Sequence, residues 1–148
     1  LMCSVGKAKQ LGIDESRWIY LHGLAEGCEL EVTRRPDLDG SPMAGMVADK
    51  ALSTAGISVA DINSIDIYSC FPCAVFAAVD TMNDAARALG DYSLTGGLSF
   101  FGGPGNGYSM YNIAAMVDAL RHDGSKPALV TANGGVMSKH ADGIYTAS

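Results

Sequence analysis

Apolar positions along this chain follow two periods, and each predicts a different kind of element. WIYLHGLAE, rich in aromatic and β-branched residues and preceded by the turn-like GIDES, predicts a strand. From Ser41 onward, Ala44, Val47, Ala48, Ala51 and Ala55 form a 3.6-residue stripe, which predicts an amphipathic helix closed by Gly56. Ser41 and Pro42 supply its N-cap and a proline in its first turn. SIDIYS, 64 to 69, alternates as a strand does, and 74 to 89 is apolar nearly all round, as in a central, buried helix. Met110, Ile113, Ala114, Val117 and Leu120 mark another helix, ended by HDGS. KPALVTAN, 126 to 133, reads as a short buried strand, and GIYTA as a second strand after the loop GGVMSKHAD. EGCELEVTRRPDLDG has no clear period and reads as a loop with room for one short strand. The order strand, helix, strand, helix, loop, helix, strand, strand is that of an α/β domain with helices layered on a mixed, five-stranded sheet.

Composition narrows the class. The 148 residues, 48% of them apolar, can bury one core, so a single domain over 1–148 is expected. A net charge of −6, with Arg34-Arg35 as the only adjacent basic pair, leaves no electrostatic footprint for nucleic acid. No apolar stretch approaches the roughly 20 residues of a membrane helix, so no membrane partner is expected and a soluble, cytoplasmic protein is. The chain opens on Leu1 and runs almost at once into KAKQLG, as though a helix were under way, and so reads as a piece of a longer chain.

The chemistry-bearing residues gather in three loops at element ends, where layered α/β domains build their sites. In SCFPCA, Cys70 and Cys73 stand three apart between a strand and a helix. A cysteine at a helix N-terminus meets the positive end of the macrodipole, which favours thiolate. A redox pair, half a metal site, an acyl-chemistry cysteine and two packed thiols all fit that spacing. The redox reading lacks a cis-proline context, since Pro104 lies in a glycine loop and Pro127 at a strand start. Zinc lacks a second ligand pair, because only His122 and His140 follow, so no metal is expected.

The second loop, GDYSLTGGLSFFGGPGNG, carries seven glycines, which implies special backbone geometry or close approach. It could cradle an anion at the next helix, yet the nucleotide fingerprints fail. In the third, ANGGVMSKHAD, His140 lies six residues beyond Gly134; a lone loop histidine is more often solvated or packed than a general base.

These blocks together resemble the C-terminal half of the thiolase superfamily, most closely the acetyl-CoA acetyltransferase branch related to sterol-carrier-protein thiolases. The resemblance rests on KAKQLG, PDLDGSPMAGMVADKALSTAGISVADINSIDIYSCF, GGLSFFGGPGNG and ALVTANGG, in that order. It implies one half of a five-layered body whose nucleophilic cysteine belongs to the other half. The first loop, His-Asp-Cys-Phe in the sterol-carrier branch, is matched at Cys70 and Phe71 but not at Tyr68 and Ser69. The resemblance thus makes Cys70 an acid/base cysteine and Cys73 a packing residue. The second loop keeps its spacing, but Gly103 occupies the place of the histidine that activates the nucleophile. The third retains Asn133 and Gly134, with Ala132 in place of a cysteine or histidine.

What the resemblance implies is the C-terminal half of an acyl-CoA acyltransferase of lipid metabolism, running Claisen condensation or thiolysis on a coenzyme A thioester with no covalent cofactor. Cys70 would transfer protons, His140 would replace the missing base, and Phe71, Gly102, Gly103, Gly105, Asn133 and Gly134 would shape the acyl pocket. The expected partners are acyl-CoA, an N-terminal thiolase half or partner subunit, and further copies in a homo-oligomer. Alone, such a half has no nucleophile. A catalytically retired subunit or scaffold, and a dithiol oxidoreductase, are the alternative functions.

Overall fold

The computed structural model describes residues 2–82, 84 and 87–147. A short helix, α1 (Val5–Gln10), is capped by Ser4, whose hydroxyl accepts the Lys7 N–H. Strand β1 (Ile19–Cys28) follows, then α2 (Pro42–Ala55), β2 (Ser64–Asp66), α3 (Pro72–Met82), a single helical turn α4 (Leu98–Phe101), α5 (Tyr108–His122), β3 (Ala128–Gly134) and β4 (Lys139–Ala147). The sheet has the order β1-β4-β3-β2. β4 runs antiparallel to both β1 and β3, whereas β2 joins β3 in parallel after the α3–α5 segment, so the sheet is mixed as expected.

Four strands form among the described residues, one fewer than the sequence predicts. The short strand allowed within EGCELEVTRRPDLDG does not appear. Its first residues, Glu26 to Cys28, prolong β1, and Val32–Arg34 winds into a 3₁₀ turn. Arg35 holds that turn bent, donating from Nε to the Leu30 carbonyl at 2.7 Å and from its other end to the Val136 carbonyl at 3.0 Å.

Strand alternation sorts β3 and β4 between two cores. Leu129 and Ile144 point to α2 and α3, where Val47, Ala51, Ile65, Ile67 and Met82 complete one cluster. Ala128, Val130 and Tyr145 point the other way, against Met116 and Leu120 of α5. The result is a helix layer on each sheet face. Small residues set the first spacing. A Cβ on Gly23 would strike the Ala51 carbonyl, and one on Gly27 would meet Met43 Sδ at 2.6 Å, so α2 lies close against β1. A bulge between Leu21 and Gly23 adjusts the β1 register there.

Helix α2 matches its sequence pattern, and Gly56 closes it in the left-handed conformation at φ 71°. Its cap differs. The Ser41 side chain makes no capping bond, and Glu29 Oε2 accepts the Met43 N–H instead, at 3.2 Å. The helix expected over 74 to 89 starts earlier, at Pro72, and ends at Met82; residues 83, 85 and 86 of that expectation lie outside the described residues, and Leu89–Tyr92 forms a 3₁₀ turn. α3 buries Ala74, Ala77, Ala78 and Met82 but leaves Phe76 and Cys73 exposed. Among the described residues, no helix is long and apolar enough to cross a membrane.

Candidate active site

Two of the three sequence loops meet at Cys70. The residue lies just before α3, and its Sγ donates to Oδ1 of Asn133 at 3.2 Å, near the end of β3. The Asn133 amide cannot turn round, because its Nδ2 faces the Tyr68 carbonyl at 3.2 Å, and a carbonyl only accepts. The Tyr68 N–H in turn donates to Thr131 Oγ1 at 3.2 Å. Side chains of β3 thus replace the ladder bonds that β2 gives up after Asp66, and the Tyr68 to Cys70 backbone is held against them. The cysteine so placed has its proton directed at a carbonyl oxygen.

The glycine loop docks onto the same segment. Ser69 Oγ accepts the Leu98 N–H at 3.1 Å, and a Cβ on Gly97 would approach that oxygen to 2.6 Å. Glycines at φ 82° and 81°, Gly97 and Gly102, bracket the α4 turn. Deeper down, fully buried Asp66 accepts the Thr95 N–H at 2.8 Å and Asn112 Nδ2 at 3.0 Å, which ties the loop to α5. Burial pushes the Asp66 carboxyl above its ordinary value, partly offset by the bonds from Thr95. Gly102, Gly103 and Gly105 are exposed, as is Phe71, on the outer side of this junction. Among the described residues beyond its chain neighbours, only Leu98 comes within 4 Å of a Cβ built on Gly103.

His140 does not sit in a loop. The expected loop GGVMSKHAD contracts to a tight turn, and β4 begins at Lys139, with His140 directly opposite Asn133 in the ladder. Gly135, Val136 and Met137 carry positive φ in succession, at 58°, 56° and 58°, which closes the hairpin in four residues. His140 is buried, with Nε2 at 2.9 Å from the Met137 carbonyl and 3.1 Å from Ser41 Oγ. The carbonyl accepts only, so Nε2 carries hydrogen and Nδ1 the lone pair. Burial lowers the ring's proton affinity, while the Met137 bond and nearby Glu29 oppose that and Arg35 adds to it.

Between α2, α3 and the sheet lies a cavity that gives the centre of a water molecule about 20 Å³ of room. Thr131, Asn133, His140 and Asp142 form its polar floor, and Ala44, Ala74 and Ala78 are among the apolar residues above. Sequence reasoning missed Asp142, Thr131, Ser41 and Glu29. The period-2 rule carried back from Ile144 would have found one of them, Asp142, which shares that face with His140. Burial pushes the Asp142 carboxyl up to about 8. All four cysteines are free thiols. Among the described residues, no group of three or more His, Cys, Asp or Glu is placed to hold a metal ion.

No protein-family model matches the chain, and no curated protein does. A solved structure does match: a monomeric SCP2-thiolase-like protein type 1 from Mycobacterium smegmatis, 42% identical, with a TM-score of 0.90. The match covers 98% of this chain and 32% of that one, so the chain spans about a third of that protein's length. Taken with the Cys70 junction and the layered sheet, this likeness shows that the chain has the SCP2-thiolase-like fold.

Proposed function

We propose that this chain is the C-terminal domain of a longer, thiolase-like acyl-CoA acyltransferase, in which Cys70 moves a proton during carbon–carbon bond formation or cleavage. The observation that carries this reading is the Cys70 to Asn133 hydrogen bond, which joins two loops at one point and aims a thiol proton. Such chemistry splits into acyl transfer and condensation, and needs a nucleophile, a base and an oxyanion site. The nucleophile would come from the remaining part of the longer protein. Exposed Phe71, Phe100, Phe101, Met110 and Tyr111 supply an apolar surface for that part to cover. Phe71, Gly102, Gly103, Gly105 and Gly134 would border the coenzyme A thioester. His140, with its Nε2 fixed and Nδ1 free, is the base we assign in place of the imidazole absent at Gly103.

The test is acyl transfer by the intact protein carrying this chain. Replacing Cys70 by alanine should lower kcat by about 10²- to 10⁴-fold with little change in KM, as for loss of a proton-transfer group. An unchanged kcat sinks the assignment. Gly103 favours a second reading, a subunit or scaffold without catalysis, because no imidazole stands there. An intact protein inactive toward every acyl-CoA offered, yet forming a stable complex with another chain, would support that reading.

A further inference from the structure

We propose that the cavity beneath Asn133 is a proton-holding site, in which Asp142 acts through one buried water on Nδ1 of His140 and so positions the ring. Asp142 and His140 lie two residues apart on the same face of β4, and both line the cavity. Among the described residues neither the Asp142 carboxyl nor His140 Nδ1 has a hydrogen-bond partner, although both residues are buried. Buried polar groups are almost always partnered, by protein or by water. About 20 Å³ is enough for one water, and Thr131 Oγ1 offers it a third partner.

The direction of the bonds follows from the ends of the chain. Nε2–H points to the Met137 carbonyl, so Nδ1 must accept, and the water must donate to it. The water then accepts from the carboxyl, which is neutral because burial holds its proton at ordinary pH. The pair can pass one proton without loss: the carboxyl O–H breaks, a water O–H forms, and a different water O–H breaks as Nδ1–H forms, leaving carboxylate and imidazolium. The charged groups near the ring are Glu29 and Arg35, and α2 and α3 present only apolar side chains to the cavity. The site rests on local geometry, and its test does not require acyl transfer.

The experiment is a high-resolution crystal structure of the intact protein, together with an imidazole ¹⁵N titration of His140, assigned by difference from His140→Gln. A water bonded to both Asp142 and Nδ1 is expected, with the Nε2–H tautomer at neutral pH. Asp142→Asn keeps a neutral donor and should leave the His140 midpoint nearly unmoved. Asp142→Leu should remove the water and shift the Nδ1 resonance, while the Met137 carbonyl keeps the Nε2–H tautomer. A direct Asp142 to His140 contact without water overturns the proposal. So does a fall of about one pH unit or more in the midpoint of Asp142→Asn, which would mean that a carboxylate had been supporting the ring. Should Asp142→Leu not fold, the asparagine variant and the crystal structure decide.

Discussion

The Cys70 thiol donates to Oδ1 of Asn133 at 3.2 Å, and the other end of the same amide is pinned to the Tyr68 carbonyl. One asparagine therefore fixes both the position of a cysteine and the direction of its proton. Replacing Asn133 by alanine should remove a bond worth about 1 kcal/mol that holds the Cys70 side chain in place, and speed alkylation of Cys70 about fivefold. Mass-spectrometric mapping keeps Cys3, Cys28 and Cys73 apart from the signal. An unchanged rate would show that the bond does not control the thiol.

Glu29 and Ser41 divide the work that one capping residue usually does. Glu29→Ala removes the acceptor of the Met43 N–H and should cost about 1 kcal/mol of stability, the worth of an N-cap. Ser41→Ala should leave the helix start intact yet change the His140 titration, since its hydroxyl serves the ring. Denaturant melts and the imidazole titration separate the two effects.

Asp142 makes stability fall with rising pH. Its carboxyl is neutral when folded up to about 8 but ionises near 3.8 when unfolded. The folded state therefore binds more protons between these values, and its contribution is full below about 4 and lost through about 8. The loss is on the order of several kcal/mol. Asp66, also pushed up, has the same sign. His140, pushed down, acts oppositely: its contribution is full above 6.5 and is lost as pH falls through the folded value. Urea melts across pH should show stability falling between about pH 4 and about 8, a slope that Asp142→Asn flattens.

Gly23 sets the distance between β1 and α2. Gly23→Ala pushes a methyl into the Ala51 carbonyl and Ala55, and should destabilise by about 1–3 kcal/mol, read from a thermal melt. Gly40, half-buried but with open space where a Cβ would stand, is the matched control.

Gly103 has room for a side chain. If the proposed acyltransferase reading holds, Gly103→His in the intact protein should raise thiolytic kcat, by up to about 10²- to 10³-fold if the ring recovers an oxyanion donor's role. No gain would mean that the surrounding loop has lost the geometry as well as the residue.

Helix α2 is legible in the chain almost to the residue, because a stripe of alanines and valine, a leading proline and a left-handed glycine are local signals that packing only reinforces. Cys70 and Asn133 are legible as members of two loops, but their bond is not, since 63 residues separate them and only the β2–β3 pairing closes that distance. The beginning of β4 reads as loop because Lys139, His140 and Asp142 are polar, and polar residues inside a sheet are stable only where a cavity or partner receives them. That partner set, Ser41 from a helix start, Met137 from a strained turn and Thr131 from the neighbouring strand, exists only once α2 lies across the sheet. Local periodicity therefore decides which segments are helix and strand, while the role of each buried polar group waits on the tertiary fold, because its energy depends on what it faces.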